Sequence, residues 1–263
     1  MSEKTVKVEV KDRICILTLN QPEKLNFMSE EMAKDFRETI EKIKSDPEPR
    51  VMIVTGEGRA FSAGGDLKTM DGNVGGIPSY LKKKTFYFYK SFLSIMDLEI
   101  PTIAAINGHA IGAGACLSLA CDMRLAATNS KIGFTFSKIG LYPGMGAEYF
   151  LTRMIGRART FELLITGDTI SAEEAYGMGL VNHITPPEEL MDRAMELALK
   201  IAAMPVLPIR MLKEAIDASM SSDLTATLHK QAAYQAICYL SDDIKEGIDS
   251  VRKKRTPHFS DEY

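Results

Sequence analysis

Residues 101–127 read PTIAAINGHAIGAGACLSLACDMRLAA, and this stretch decides the fold class. Its apolar run TIAAI predicts a buried strand, and MRLAA predicts a second strand. Between them, a small-residue turn of Gly112, Ala113 and Gly114 leads into an apolar segment that predicts a helix. A succession of strand, glycine turn, helix and strand indicates an α/β core.

A second glycine-rich segment, RAFSAGGDLK at residues 59–68, follows another predicted strand, RVMIVTG. It lies within a longer interval, residues 57–79, that we predict to be one long glycine-rich loop. Loops of this length in a compact domain usually bind something or move. We also expect part of the binding pocket to come from a variable loop at residues 69–100, where FYFYKSF predicts an aromatic wall.

The rest of the chain divides into a mixed part and a helical part. TVKVEV and ICILTLN predict a hairpin, Ser29 begins a helix, KIGFTF is typical of a strand, and Ser171 begins a helix with a capping box. From residue 186 onward the pattern is helical, with a long helix over about 222–239. We therefore predict an α/β core over residues 1–200 and a helical C-terminal region over 201–263. The apolar C-terminal helices pack either on their own core or on a neighbouring subunit.

Composition indicates a soluble globular protein. The 263 residues carry a net charge of −3, with 45% hydrophobic and 25% charged residues. The two short basic runs, 82–84 and 252–255, do not favour nucleic acid as a partner in a chain that is acidic overall. No segment is typical of a signal peptide or a membrane span, so we expect a cytoplasmic protein. The four cysteines lack C-x-x-C spacing, and we predict free thiols and no metal site.

The two glycine turns have a possible chemical use. Each follows a buried strand, and the second opens a helix whose first N–H groups lack internal partners. Two such turns that face one point can hold a developing oxyanion. Taken alone, each turn could equally be only a tight change of direction. Neither the dinucleotide-binding glycine pattern nor the P-loop lysine is present.

Six ordered blocks of the chain resemble the crotonase superfamily, the enoyl-CoA hydratase/isomerase family. The blocks are NQPEKLNFMS, RAFSAGGDLK, residues 101–127, KIGLYPGMG, LITGDTISAEEAYGMGLVNHI and DDIKEGIDSVRKKRTPHF. The resemblance implies a ClpP-like spiral of ββα units with an α-helical C-terminal region that forms trimers, often paired into hexamers. It also implies an acyl-CoA thioester as substrate, with coenzyme A as part of that substrate and no separate cofactor.

Matching block to block, the resemblance implies that the backbone N–H groups of Gly65 and Ala113 grip the thioester oxygen. Ala113 stands where the family usually has glycine, a change that matters only if φ must be positive there. The carry-over places Ala63 at the adenine pocket and Leu25 and Leu67 along the coenzyme A path. The residues that we expect to contact the substrate are Lys24, Leu25, Ala63, Asp66, Leu67, Tyr89 and Phe136. Lys24 could equally be a solvated loop lysine, and Asp66 could brace the turn.

The match fails at the two glutamates that hydratases of this family use to handle water and proton. Cys116 occupies the position of one and Phe136 the position of the other. Phe136 cannot transfer a proton. Cys116 lies in the first turn of the predicted helix, where the helix end would lower its thiol pKa. Buried apolar cysteines are mostly inert, however, so we expect packing rather than catalysis as the role of this cysteine.

Three other side chains are candidates for proton transfer. Tyr142 lies beside Gly144, where relatives with other reactions place an aspartate. Glu148 either turns inward or complements a helix dipole. Tyr89, which we expect on a helix before IPTIAA, matches a position that some family members use for a base, or it forms part of the aromatic wall. His109 is expected to be structural.

We therefore expect an acyl-CoA enzyme that stabilises an enolate with Gly65 and Ala113 and that has left the two-glutamate mechanism. Tyr142, Glu148, Tyr89, Cys116 or the substrate itself would supply the proton chemistry. Isomerisation, hydration, thioester hydrolysis, ring cleavage and decarboxylation remain open as reactions. The alternative is a non-catalytic acyl-CoA-binding or scaffold protein of the same fold. In either case the expected assembly is a homotrimer or a hexamer.

Overall fold

The computed structural model describes residues 4–260, and residues 1–3 and 261–263 of the two predicted units lie outside this range. The strands of the described residues are short and alternate with helices along the chain. They are β1 (Val6–Lys11), β2 (Ile14–Leu19), β3 (Val51–Gly56), β4 (Ala60–Ser62), β5 (Thr102–Ile106), β6 (His109–Ile111), β7 (Met123–Ala127), β8 (Lys131–Gly133), β9 (Thr169–Ser171) and β10 (His183–Thr185).

The helices become longer and more continuous toward the C-terminus. They are α1 (Glu30–Lys44), α2 (Leu67–Asn73), α3 (Pro78–Leu93), α4 (Ala113–Ala120), α5 (Ala147–Thr166), α6 (Ala172–Gly177), α7 (Leu190–Ala202), α8 (Val206–Ser219), α9 (Leu224–Cys238) and α10 (Asp242–Lys253). Helix α5 is interrupted at Gly156, whose φ of 77° and ψ of 167° are not helical. This arrangement confirms the α/β class and the helical C-terminal pattern.

The strands form two sheets. The larger sheet has the order β1-β2-β3-β5-β7-β10, and the smaller has the order β4-β6-β8-β9. Strands β1 and β2 pair antiparallel, as the hairpin prediction required, and β2, β3, β5, β7 and β10 pair parallel. Successive pairs of strands thus contribute one strand to each sheet: β3 and β4 form the first pair, β5 and β6 the second, and β7 and β8 the third.

Helix α4 explains why the stretch 101–127 organises the fold. All eight of its residues are buried, which confirms the apolar helix predicted after the glycine turn. Strand β5 on one side and β7 on the other pair with each other in register, Ala104 opposite Arg124. Burying this much apolar surface is the main favourable term for folding the core.

Two sequence-based predictions about loops are wrong. The interval 57–79 contains β4 and α2, and residues 78–93 form α3, so neither 57–79 nor 69–100 is a continuous loop. Asp66 caps α2 by accepting hydrogen bonds from the N–H groups of Lys68 and Thr69 at 3.1 and 3.3 Å. The strand expected over KIGFTF ends at Gly133, and a 3₁₀ turn follows over Thr135–Ile139.

The C-terminal helices differ from the core helices in burial. Helix α7 buries Leu190, Ala194 and Ala198 against the large sheet. By contrast, α8 and α9 have no fully buried residue. Several large apolar side chains of α8 and α9 are exposed, namely Leu212, Ile216, Leu224, Leu228 and Ile237. The predicted boundary at residue 200 falls inside α7 and remains a prediction.

Candidate active site

The first glycine turn is fixed to the segment that precedes α1. The Met28 N–H donates to the Gly64 carbonyl at 2.6 Å, and the Ala63 N–H donates to the Leu25 carbonyl at 2.9 Å. Gly65 forms an isolated parallel bridge with Met28. Gly64 has a φ of 87°, which glycine adopts without strain. The turn is therefore held from one side, and its other side faces the second turn.

The second glycine turn positions Ala113 at the start of α4. Gly112 has a φ of 54° and a ψ of −119°, and its N–H donates to the Gly133 carbonyl at 2.7 Å. Ala113 is the first residue of α4 and does not have a positive φ. Only the preceding residue needs glycine, so alanine at position 113 fits without strain. The condition that the sequence left open for Ala113 is therefore met.

The two turns touch each other. A Cβ added to Gly64 would lie 2.5 Å from the Ile111 carbonyl oxygen and 3.3 Å from the Ala113 nitrogen. A Cβ added to Gly114 would lie 2.6 Å from the Cβ of Ser62. Glycine at both positions permits this close approach of backbone to backbone.

The N–H groups of Gly65 and Ala113 are both available. Ala113 is the first residue of its helix, so its N–H has no acceptor one turn earlier. Within residues 4–260, neither N–H donates to a protein acceptor. Two free donors in adjoining turns, one of them at the positive end of a helix dipole, favour a partly negative oxygen between them.

Two buried polar residues that sequence reasoning missed brace the turns. The Asn26 side chain donates to the carbonyls of Glu57 and Ala60 at 2.9 and 2.8 Å. The Ser62 hydroxyl donates to the Asn26 carbonyl at 2.8 Å and accepts from the Gly64 N–H at 3.1 Å. Asn26 also has a φ of 52°. An asparagine among apolar residues just before a capped helix was the available signal, because asparagine tolerates this conformation.

The structure contradicts the expected lowering of the Cys116 pKa. The thiol is fully buried, and desolvation raises its pKa well above the ordinary value, with the charge of Glu148 adding to the shift. Its Sγ lies 3.5 Å from the Gly144 carbonyl oxygen, to which the thiol donates. Cys116 is therefore present as a neutral thiol with its hydrogen engaged.

Phe136 forms an apolar wall beside the second turn. It lies on the 3₁₀ turn Thr135–Ile139 and is buried, with its Cζ 3.9 Å from the position of a Cβ on Gly112. Both positions that the resemblance assigns to glutamates therefore line the site with groups that carry no charge.

Tyr89 reaches the same region from α3. A Cβ on Gly144 would lie 2.7 Å from the Tyr89 Cζ, so the phenol fills the space beside that glycine. Tyr89 is half-buried, and its ring packs edge-on to Phe88 at 6.3 Å. The predicted aromatic wall is only partly present, because Phe92 lies in the core while Phe86 and Tyr87 are exposed.

The other proton-transfer candidates lie nearer the surface. Tyr142 is 76% exposed, so the structure does not bring it into the buried cluster around Gly144. Glu148 is exposed near the start of α5, yet its charge raises the pKa of Tyr89 and of Cys116. His109 is exposed on β6.

The residues predicted along the coenzyme A path lie at the outer rim of the first turn. Lys24 is exposed with its Nζ 5.5 Å from the centre of the Phe27 ring, and Leu25 has a φ of 54°. Ala63 and Leu67 are exposed. Asp66 braces α2, and its hydrogen bonds from Thr69 lower its pKa. The rim is open to solvent and contains apolar, cationic and acidic side chains.

The paired sheets, the buried helix α4 and the two adjoining turns define a crotonase-fold α/β protein. Comparison with known proteins makes the assignment more specific. The family model described as enoyl-CoA hydratase/isomerase matches residues 9–262. The chain belongs to the enoyl-CoA hydratase/isomerase family, is an enzyme of that family, and has the acyl-CoA substrate that the family implies.

Individual relatives cover almost the whole chain. The chain is 33% identical over 260 residues to a probable enoyl-CoA hydratase of Mycobacterium tuberculosis, covering 99% of each. It is 34% identical over 252 residues to the 1,2-epoxyphenylacetyl-CoA isomerase of Escherichia coli, covering 95% of this chain and 96% of that one. The crystal structure of an enoyl-CoA hydratase from Bacillus anthracis superposes with a TM-score of 0.92 at 33% identity, covering 98% and 100%.

Within residues 4–260, no helix combines the length and the apolar composition that a membrane span requires.

Proposed function

We propose that this enzyme stabilises the enolate of an acyl-CoA thioester between the backbone N–H groups of Gly65 and Ala113. The observation that carries the proposal is that both N–H groups lack a protein acceptor and lie in touching turns. A thioester oxygen between them would gain most from these donors when it becomes negative, which is the condition for lowering a barrier. The helix dipole of α4 adds to the stabilisation at Ala113.

We further propose that the reaction is not the two-glutamate hydration. Cys116 is a neutral buried thiol and Phe136 is a hydrocarbon, so neither can activate water. The relatives include proteins named hydratase and one named isomerase, which supports thioester enolate chemistry without selecting one reaction. Isomerisation, thioester hydrolysis, ring cleavage and decarboxylation all pass through a negative thioester oxygen.

The proposed substrate-binding surface is the rim of the first turn. Lys24 is placed to meet a phosphate of coenzyme A, Leu25 and Leu67 border the pantetheine path, and Ala63 borders the adenine. The exposure of Lys24, Ala63 and Leu67 supports contact with a large ligand that lies on the surface. The acyl group would pass inward between Phe136 and Tyr89.

The proposed assembly is a homotrimer or a hexamer formed through α8 and α9. The support is the exposed apolar surface on both helices, where Leu212 and Ile216 are 54% and 55% exposed and Leu228 is 54% exposed. A cluster of large exposed apolar side chains on two helices is typical of an interface.

Turnover of crotonyl-CoA beside a panel of other CoA thioesters tests the proposal. Since each missing acid or base costs about 10²–10⁴ in rate, hydration of crotonyl-CoA should be slower by at least that factor than in a two-glutamate hydratase assayed in parallel. Another thioester of the panel should turn over. Hydration of crotonyl-CoA at the rate of the reference hydratase would contradict the proposal that this enzyme does not use the two-glutamate mechanism. Binding of acyl-CoA with no turnover of any panel member would contradict the enolate chemistry.

A further inference from the structure

The Tyr89 side chain reaches away from its own helix, α3, and contacts a different segment of the chain. It lies on α3, but its hydroxyl end packs against Gly144, which is buried just before α5. A side chain at position 144 would collide with the phenol, since its Cβ would lie 2.7 Å from the Tyr89 Cζ. The tyrosine thus occupies the volume that a side chain at position 144 would otherwise fill.

This position is connected to the helix whose first residue is Ala113. The Gly144 carbonyl accepts a hydrogen bond from the Cys116 thiol at 3.5 Å. Cys116 follows Ala113 by three residues on α4, which is about 5 Å along a helix axis. Gly144 therefore connects the Tyr89 hydroxyl to Cys116, which lies about one helical turn along α4 from the Ala113 donor.

The Tyr89 hydroxyl hydrogen is free for a ligand. In the described part of the chain, residues 4–260, no acceptor takes this hydrogen. The titratable groups that face it are Cys116 from α4 and Glu148 from α5, and the Met145 N–H also faces its oxygen.

Burial is the main cause that raises the pKa of Tyr89 above its ordinary value of about 10. The charge of Glu148 and the nearby Cys116 act in the same direction, and only the Met145 N–H opposes them. At neutral pH the phenol is therefore protonated, and it is a proton donor rather than a base.

We propose that the Tyr89 hydroxyl protonates Cα of a thioester enolate that forms when a 2-carboxyacyl-CoA loses its carboxylate as CO₂. The inference rests on the proposed function, because it requires the enolate to be held by Gly65 and Ala113. It adds the proton donor and the substrate class.

The step is balanced without any further reagent. The bond between Cα and the carboxylate carbon breaks, and its electron pair forms a double bond from Cα to the thioester carbon. The thioester oxygen becomes negative between the two N–H groups, and CO₂ leaves. The electron pair of the double bond then takes the proton of the Tyr89 hydroxyl at Cα, the thioester carbonyl returns, and water reprotonates the phenolate.

The composition of the site favours this substrate class over one that needs a base. Loss of CO₂ requires no proton removal, and the buried groups Phe136 and Cys116 are neutral. An apolar wall disfavours a substrate carboxylate and does not disfavour neutral CO₂, so the negative charge moves toward the backbone donors. Glu148 is exposed and can remain hydrated.

The experiment uses methylmalonyl-CoA with the full-length protein in deuterium oxide. Release of CO₂ is measured, together with the configuration of deuterium at C2 of the propionyl-CoA product. The wild-type protein is expected to release CO₂ and to give one configuration, because one fixed donor delivers the deuteron to one face. Tyr89→Phe is expected to slow CO₂ release by less than about tenfold, because protonation follows bond cleavage. Its product should contain both configurations in nearly equal amounts.

Tyr87→Phe is the matched control. Tyr87 lies on the same helix two positions earlier, is exposed, and stacks on Arg37 at 5.7 Å. This variant makes the same chemical change away from the site, and it should retain both rate and configuration. A purely structural role for Tyr89 would lower the rate without mixing the configurations.

A single configuration from Tyr89→Phe, or a mixture from the wild type, would overturn the assignment of Tyr89. No release of CO₂ by the wild type would overturn the substrate class. If another thioester of the panel still turns over in that case, the proposed function survives while this inference fails. If no thioester turns over, both fail.

Discussion

The two halves of the candidate site are built in different ways. One half is backbone. Hydrogen bonds among Asn26, Ser62 and Gly64 hold the turn that contains Gly65, and the Gly112 N–H, which donates to the Gly133 carbonyl, holds the turn before Ala113. The other half is side chain, where Tyr89 meets Gly144 next to Cys116. The backbone half depends on where glycine is allowed. The side-chain half depends on which groups happen to face the same space.

This difference separates ligand class from reaction. Backbone donors bind a thioester oxygen whatever reaction follows, so that half is compatible with every chemistry of the family. Side chains decide where protons go, so substitution there changes the reaction while the fold stays the same. Variants that remove a backbone donor test the first half of the site, and variants that displace the Tyr89 phenol test the second.

Removing one backbone donor should have the largest effect. Ala113→Pro deletes the N–H at the first position of α4, where proline is well tolerated in helices. We expect a loss of about 10²–10³ in kcat for any thioester that turns over. Ala113→Gly, which keeps the N–H, should lose less than about tenfold. Equal kcat values for Ala113→Pro and the wild type would show that the turn does not stabilise the oxyanion.

Weakening the brace should have the next largest effect. Asn26→Ala removes hydrogen bonds to the Gln21 N–H and to the carbonyls of Glu57 and Ala60. We expect the free energy of unfolding to fall by about 3 kcal/mol, measured by urea denaturation, because buried partners are left unsatisfied. Asn129→Ala, at an exposed position, should change it by less than about 0.5 kcal/mol. Similar losses in both variants would contradict the bracing role.

Crowding the Tyr89 phenol should change the configuration of the product more than the affinity for the substrate. Gly144→Ala places a Cβ against Tyr89 and forces its hydroxyl away. We expect the mixed deuterium configuration of Tyr89→Phe in this variant, and no further mixing when the two substitutions are combined. An effect of Gly144→Ala that simply adds to that of Tyr89→Phe would mean that the two residues act separately.

The pH dependence should follow the Tyr89 pKa. The donor form is the neutral phenol, which is present below its pKa, and burial raises that pKa above about 10. The single configuration of the product should therefore persist through neutral and mildly alkaline pH and be lost only as the pH rises through the raised pKa. Loss of configuration between about pH 7 and pH 8 would point to a different donor.

Substitution of Cys116 should have the smallest effect on turnover. Because burial and the charge of Glu148 raise the pKa of Cys116, we expect no reaction with iodoacetamide at neutral pH in the folded protein. Cys116→Ala should change turnover by less than about threefold, far below the cost of losing a true acid or base. Rapid alkylation of Cys116, read by mass spectrometry, would contradict its burial.

The backbone half was largely predictable from the sequence. The runs AGGD and GAG after apolar strands indicate tight turns, and the ordered family blocks place Gly65 and Ala113 in them. The local rule is physical, since only glycine reaches the conformations of Gly64 and Gly112 without strain. Helix α2 was missed because the glycines between residues 64 and 76 dominate the local pattern, whereas the helix expected to carry Tyr89 is present as α3.

The side-chain half was predictable only as a set of candidates. In the sequence, Tyr142 and Tyr89 are equal candidates for proton transfer. In the structure Tyr142 is 76% exposed, whereas Tyr89 packs against the buried Gly144. A glycine gives no sign of which side chain occupies the space beside it. The lowering of the Cys116 pKa suggested by its place in the first turn of α4 is absent because burial outweighs the helix dipole, and this burial agrees with the packing role expected of an apolar cysteine.

The most direct test of the central claim is the infrared frequency of the thioester carbonyl in a bound, unreactive acyl-CoA labelled with ¹³C at that carbon. Hydrogen bonds from Gly65 and Ala113 should lower the stretching frequency relative to the free ligand. The shift should persist in Tyr89→Phe and be largely lost in Ala113→Pro. A bound thioester with the frequency of the free ligand, or a shift that survives in Ala113→Pro, would contradict the account.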